Sequence, residues 1–130
     1  MIRTIVAGVV VAVALPPCGP ALAAPAPGAA SRRTELTLSY AADAGYATAV
    51  VLRCDPPGGG HPRAARACRV LAKAGGSPSN IRPARRMCLM IYAPITAHVT
   101  GVWRGVRVRW SRRFGNACEM TRATGVLFDF

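Results

Sequence analysis

The spacing of apolar side chains divides the chain into stretches of different character. From Ile5 to Leu15 apolar residues follow one another without a break, after Arg3 and before Pro16-Pro17. Ala21-Leu22-Ala23 then offers an A-x-A cleavage site, so residues 1–23 read as a secretory signal peptide. The apolar run is about half the length a membrane span needs, which argues against a transmembrane anchor. Prolines directly before Cys18 do not fit the small-residue box of lipoprotein processing. Ala24 to Ser31 is mostly Ala, Pro and Gly without periodicity, so residues 24–33 read as a flexible mature N-terminus. One domain is expected over residues 34–130.

Within that domain the pattern alternates. Leu36, Leu38 and Tyr40 share one side of a strand over Glu35 to Tyr40, and Val50, Val51 and Leu52 lie in a second over Ala47 to Cys54. Asp55-Pro56-Pro57-Gly58-Gly59-Gly60 reads as irregular. A helix is expected from Pro62 through Ala72, where Ala64, Ala67, Cys68 and Leu71 fall on one face and Gly75-Gly76 ends it. Ser77 to Arg86 is polar and broken by prolines, with room for one helical turn. Ile95 to Val99 reads as a strand, and Gly101 and Arg104-Gly105 carry turn signals. Val106, Val108 and Trp110 alternate with arginines, the pattern of a sheet with one wet face. Val126, Phe128 and Phe130 repeat that alternation and read as a last strand. The expected fold is α+β: a five-stranded antiparallel sheet, with one longer helix and a place for a short one, packed on one face.

Cysteine usage adds staples to this picture. Of five cysteines, removal of the leader leaves Cys54, Cys68, Cys88 and Cys118, an even number in a small secreted domain. Their pairing has three possible connectivities. Joining Cys68 to Cys54 would close a loop of about fifteen residues and stabilise by roughly 3 kcal/mol in the chain-entropy model. No C-x-x-C pair is present, so disulfides are favoured over zinc, and no cofactor is expected. The 130 residues carry 17 Lys plus Arg against 5 Asp plus Glu, a net charge of +12. Such an excess attracts polyanions, although a solvated basic surface is the simpler account.

Catalytic constellations are thin. His61 and His98 could in principle serve a small ribonuclease, but they stand before a helix and within a strand. Glu35, Asp43, Asp55, Glu119 and Asp129 form no evident pair. The chain is not expected to be an enzyme. Tyr40, Tyr92, Trp103 and Trp110 could stack on bases, yet the arginines are dispersed and the aromatics suit core positions, so specific nucleic-acid binding is not expected. Met87-Cys88-Leu89-Met90-Ile91-Tyr92-Ala93-Pro94 stands apart. It is large and apolar between an irregular stretch and a proline that removes a ladder hydrogen bond and keeps Ala93 extended. An extended, exposed apolar segment is what a protease cleft accepts as an added strand.

Several blocks together resemble the Streptomyces subtilisin inhibitor family. They are Gly60-His61-Pro62 leading into the Ala-rich helix and Cys68; Met87-Cys88 leading to Tyr92-Ala93-Pro94; Gly101-Val102-Trp103-Arg104-Gly105; Phe114-Gly115-Asn116-Ala117-Cys118-Glu119-Met120; and Val126-Leu127-Phe128-Asp129-Phe130. The resemblance covers about the last hundred residues and implies a secreted, extracellular serine protease inhibitor that forms a homodimer. It implies disulfides Cys54–Cys68 and Cys88–Cys118, a reactive bond between Met90 and Ile91, and Asn116 as the brace beneath the loop. Met87, Cys88, Leu89, Tyr92 and Ala93 would then touch the protease, of subtilisin-like or chymotrypsin-like type. Leu89 stands where the family often has proline, Ala93 where relatives carry an acid, and the segment between Gly76 and Met87 differs in length. The competing expectation is a secreted cationic protein that binds anionic polymers and inhibits weakly or not at all. No membrane contact is expected after signal cleavage.

Overall fold

The computed structural model describes residues 33–130, with residues 8–9, 11–14 and 19–23 ahead of them. Arg3, Pro16-Pro17, Cys18, part of the apolar run and residues 24–32 of the expected flexible terminus lie outside the described residues. Among the described residues no helix is long and apolar enough to cross a membrane.

The strands are β1 (Thr34–Ala42), β2 (Ala47–Cys54), β3 (Gly58–Gly59), β4 (Ile95–Trp103) and β5 (Val106–Phe114). They form one five-stranded sheet in the order β3-β2-β1-β4-β5, antiparallel throughout. Pairing Leu36 with Leu52 and Leu38 with Val50 and Val99 puts the apolar alternation of neighbouring strands on one face. Leu36, Leu38, Leu52, Ala97 and Val99 are fully buried there. Helix α1 (Ala64–Lys73) covers them with Ala67, Cys68 and Leu71, and α2 (Ala117–Thr124) adds Met120 and Thr124. The Cys54–Cys68 disulfide, with Cα atoms 5.7 Å apart, ties the end of β2 to α1 as the loop-closure argument favoured. Gly76 closes α1 by donating its N–H to Leu71 O at 2.8 Å. At φ 82°, a Cβ there would meet the Trp103 ring at 2.3 Å. Only glycine fits that approach.

Three expectations need correction. Val126, Phe128 and Phe130 do not form a strand: Gly125–Phe128 is a 3-10 turn. Val126, Leu127 and Phe128 are consecutive and all buried, which a strand with one wet face forbids and a tight turn under the sheet allows. The fifth strand is β3 instead, inside the stretch read as irregular. Its Gly59, at φ 90°, approaches so closely that a Cβ would lie 2.2 Å from Val51 O, which explains why glycines form it. Gly101 is not at a turn but inside β4, opposite Leu36. The turn lies at Arg104-Gly105, both at positive φ, as a two-residue hairpin prefers. The Ser77–Arg86 stretch is irregular around one 3-10 turn at Pro78–Asn80, in line with the expectation, and a second helix lies at Ala117–Thr124.

Candidate functional site

After Asn80 the chain runs without regular secondary structure until β4 begins at Ile95. Its apolar side chains face solvent: Met87 is 96% exposed, Leu89 77%, Met90 95%, Ile91 61% and Tyr92 80%. Isolated exposed apolar residues are ordinary, but a contiguous run of this size marks an interaction site. The pattern alone could not exclude a buried strand here; the position of the segment outside the sheet does.

The loop is exposed but held from several directions. On the side ahead of Met90, the Cys88–Cys118 disulfide fastens it to the first turn of α2, with Cα atoms 5.7 Å apart. Beyond Met90, Ala93 N donates to Gly115 O at 2.8 Å, and Pro94 O accepts from Asp43 N at 3.0 Å. Asp43 lies in the β1–β2 turn and forms a two-pronged ion pair with Arg113 of β5, at 3.1 and 2.6 Å. The Asp43 carboxylate, and after it the Tyr92 side chain, pushes the Arg113 guanidinium above its already high ordinary range. The backbone bond and the ion pair link Pro94, through Asp43, to the edge strand β5.

Beneath the loop lies Asn116, buried at 8% exposure. It is the N-cap of α2, and its Oδ1 accepts from Glu119 N at 2.9 Å. Glu119 reaches back in turn, its Oε2 accepting from Gly115 N at 3.1 Å, a variant of the reciprocal capping box. With Oδ1 committed to the helix, Nδ2 faces the loop and donates to Leu89 O at 3.3 Å and Ile91 O at 2.8 Å. Those two carbonyls flank Met90. One side chain therefore starts a helix and holds both sides of the Met90–Ile91 bond. The helix itself was missed from sequence, although Asn116 followed by Glu119 three positions on is a recognised start signal.

The other candidates separate. His61 is buried; its Nδ1 accepts from Arg63 N at 3.0 Å, which leaves Nε2 protonated toward Leu127 O at 3.2 Å. His61 thus ties the start of α1 to the C-terminal turn. His98 stands exposed in β4, paired with Ser39 and Ser111 on the face opposite the core. Among the described residues no group of His, Cys, Asp or Glu is placed to hold a metal ion.

The subtilisin inhibitor-like family model matches residues 30–116, from ahead of β1 to Asn116. A subtilisin inhibitor of Streptomyces albogriseolus is 41% identical over 126 residues, covering 90% of this chain and 88% of its own length. The chain belongs to the subtilisin inhibitor-like family. A Streptomyces avermitilis relative is 50% identical over 78 residues, which cover 60% of this chain but only about half (53%) of that longer protein. The crystal structure of Streptomyces caespitosus sermetstatin in complex with Bacillus licheniformis subtilisin superposes with a TM-score of 0.62. It covers 75% of this chain and 99% of the solved chain at 23% identity, and so shows a shared fold. The exposed loop and its Asn116 brace are thus carried on the family scaffold.

Proposed function

We propose that this family member is an exported serine protease inhibitor that offers Met87 to Ala93 to a subtilisin-like cleft as a ready-made substrate strand. The observation that carries the reading is Asn116, whose amide donates to the carbonyls on both sides of Met90. Ordering a flexible segment costs about 1–2 kcal/mol per residue, and a loop already held in shape loses little of this on docking. The Met90 carbonyl is the point of attack, and Met90 is the primary specificity residue. Attack by the catalytic serine would break the Met90–Ile91 bond and leave Met90 as an acyl ester. The new Ile91 amine would stay in place, because Ile91 O remains on Asn116 and Ala93 N on Gly115 O. Reclosure of the bond then competes with escape.

Met90 is unbranched and uncharged, which suits the apolar primary pockets of subtilisin-like enzymes and of chymotrypsin-like ones. It offers no cation to the acidic pocket of trypsin. Adding the oxidised domain to Bacillus licheniformis subtilisin should abolish activity at a one-to-one ratio. Met90→Lys should raise inhibition of trypsin by about tenfold through a new charge pair. Undiminished subtilisin activity, with salt-reversible retention on a heparin column, would instead favour the cationic-binder reading.

Export follows from the leader at 1–23 and suits a domain with two disulfides, which persist in oxidising compartments. Homodimer formation would use the sheet face opposite the helices, where Ala47, Ala49 and His98 are exposed. Two sheets can stack there at about 10 Å. Sedimentation at micromolar concentration should give twice the chain mass, and a monomer at that concentration would refute the dimer.

A further inference from the structure

Every carboxylate side chain of this basic protein is committed away from one group of arginines. The sequence holds 5 Asp plus Glu in all, and each lies among the described residues. Glu35 pairs with Arg33 and Arg53, Asp43 with Arg113, Asp55 with Arg104, and Asp129 with Arg63. Glu119 accepts from Gly115 N, inside the capping arrangement. Arg82, Arg85, Arg86 and Arg122 have no acidic partner among the described residues, as is also true of Arg66, Arg69, Arg107, Arg109 and Arg112; what sets the first four apart is their place beside the loop.

These arginines lie together. Ala84 N donates to Arg122 O at 2.8 Å, so the segment carrying Arg82, Arg85 and Arg86 lies against the last turn of α2. Arg86 also donates to Thr121 Oγ1, which fixes the segment lengthwise. Arg82, Arg85 and Arg86 are exposed and Arg122 is half-buried. The group runs directly into Met87. From Arg86 to Met90 an extended chain spans at most about 14 Å, so the group begins just outside the stretch a cleft would enclose.

We propose that Arg82, Arg85, Arg86 and Arg122 form a docking patch for acidic residues on the rim of the target protease, at the end of its cleft that receives residues ahead of Met90. The proposal rests on the loop reading above and adds a class of partner: a subtilisin-like protease whose rim is negatively charged on that side. Charges of opposite sign across such a rim raise the association rate by roughly ten- to a thousandfold at low ionic strength. A free polyanion would make no distinction between this patch and the exposed arginines of α1, whereas a docked protease reaches only the patch.

The test compares Arg82→Glu/Arg85→Glu with Arg66→Glu/Arg69→Glu, a pair with the same charge change on α1. The probes are Bacillus licheniformis subtilisin and a variant of it with glutamates introduced along that rim. Against the glutamate-rimmed enzyme in 20 mM NaCl, the patch variant should associate about tenfold or more slowly than the parent. The α1 variant should stay within about twofold. In 1 M NaCl, where the screening length is about 3 Å, the three proteins should associate alike. Equal slowing of both variants, or of neither, with inhibition intact in 1 M NaCl, overturns the patch alone. Absence of inhibition by the parent in 1 M NaCl overturns the patch and the loop reading together.

Discussion

Subtilisin incubated with Cys88→Ser/Cys118→Ser should cut the Met90–Ile91 bond and regain its activity, where the parent remains bound. The bridge closes a loop with a sequence separation of 30. Its loss should lower stability by about 3.5 kcal/mol in the chain-entropy model. The effect on inhibition is separate from that. Cys88 lies just ahead of Leu89 and Met90, and the bridge fixes the segment that enters the cleft on the proposed reading. Freeing the two residues Leu89 and Met90 there costs about 2–4 kcal/mol of ordering on binding. Affinity should therefore fall by roughly 30- to 1000-fold. Cys54→Ser/Cys68→Ser is the control, since that bridge joins β2 to α1 well away from the loop. It should lower the urea midpoint by a comparable amount and leave the inhibition constant of the folded protein within about threefold. Active-site titration with mass spectrometry of the cleaved loop measures both. Intact, tightly bound inhibitor in the Cys88→Ser/Cys118→Ser variant would show that the bridge serves the fold alone.

Asn116 separates the helix from the loop through two substitutions. Asn116→Ala removes the cap, worth about 1 kcal/mol of stability, together with the two donations to the loop. Asn116→Asp keeps an oxygen for Glu119 N, since aspartate caps as well as asparagine. It puts an acceptor where Leu89 O and Ile91 O need a donor. Each lost hydrogen bond is worth about 0.5–1.5 kcal/mol, and facing acceptors repel. Both variants should inhibit subtilisin about 5- to 150-fold less well, from the sum of those bonds. Thermal denaturation should show Asn116→Asp destabilised less than Asn116→Ala. Full inhibition by Asn116→Asp would mean that the amide contributes only its oxygen, to the helix.

The loop was legible because its composition conflicts with its neighbours. A run from Met87 to Tyr92 cannot enter a sheet easily ahead of Pro94, and the structure leaves it exposed. The inner face of the sheet was legible too, because Leu36, Leu38 and Val99 alternate as the register pairs them. The C-terminus misled for the same reason. Val126, Phe128 and Phe130 alternate like a strand, and only the burial of Leu127 between them shows otherwise. Gly58–Gly59 misled in the opposite direction, since glycine signals a turn in sequence and here permits close pairing with β2.

By itself the sequence determined what repeats locally: which faces are apolar, where α1 ends, and which segment is too apolar to be ordinary loop. These follow from side-chain periods of two and 3.6 residues and from backbone limits at proline and glycine, all of which act within a few positions. What holds the Met90–Ile91 bond is a different kind of fact. Asn116 reaches Leu89 and Ile91, and Asp43 meets Arg113 while its N–H supports Pro94. Such hydrogen bonds need distances within about 3 Å, and partners far apart in sequence meet only once sheet register and helix packing have been set. Only the tertiary structure therefore decided which distant groups hold the exposed loop in place.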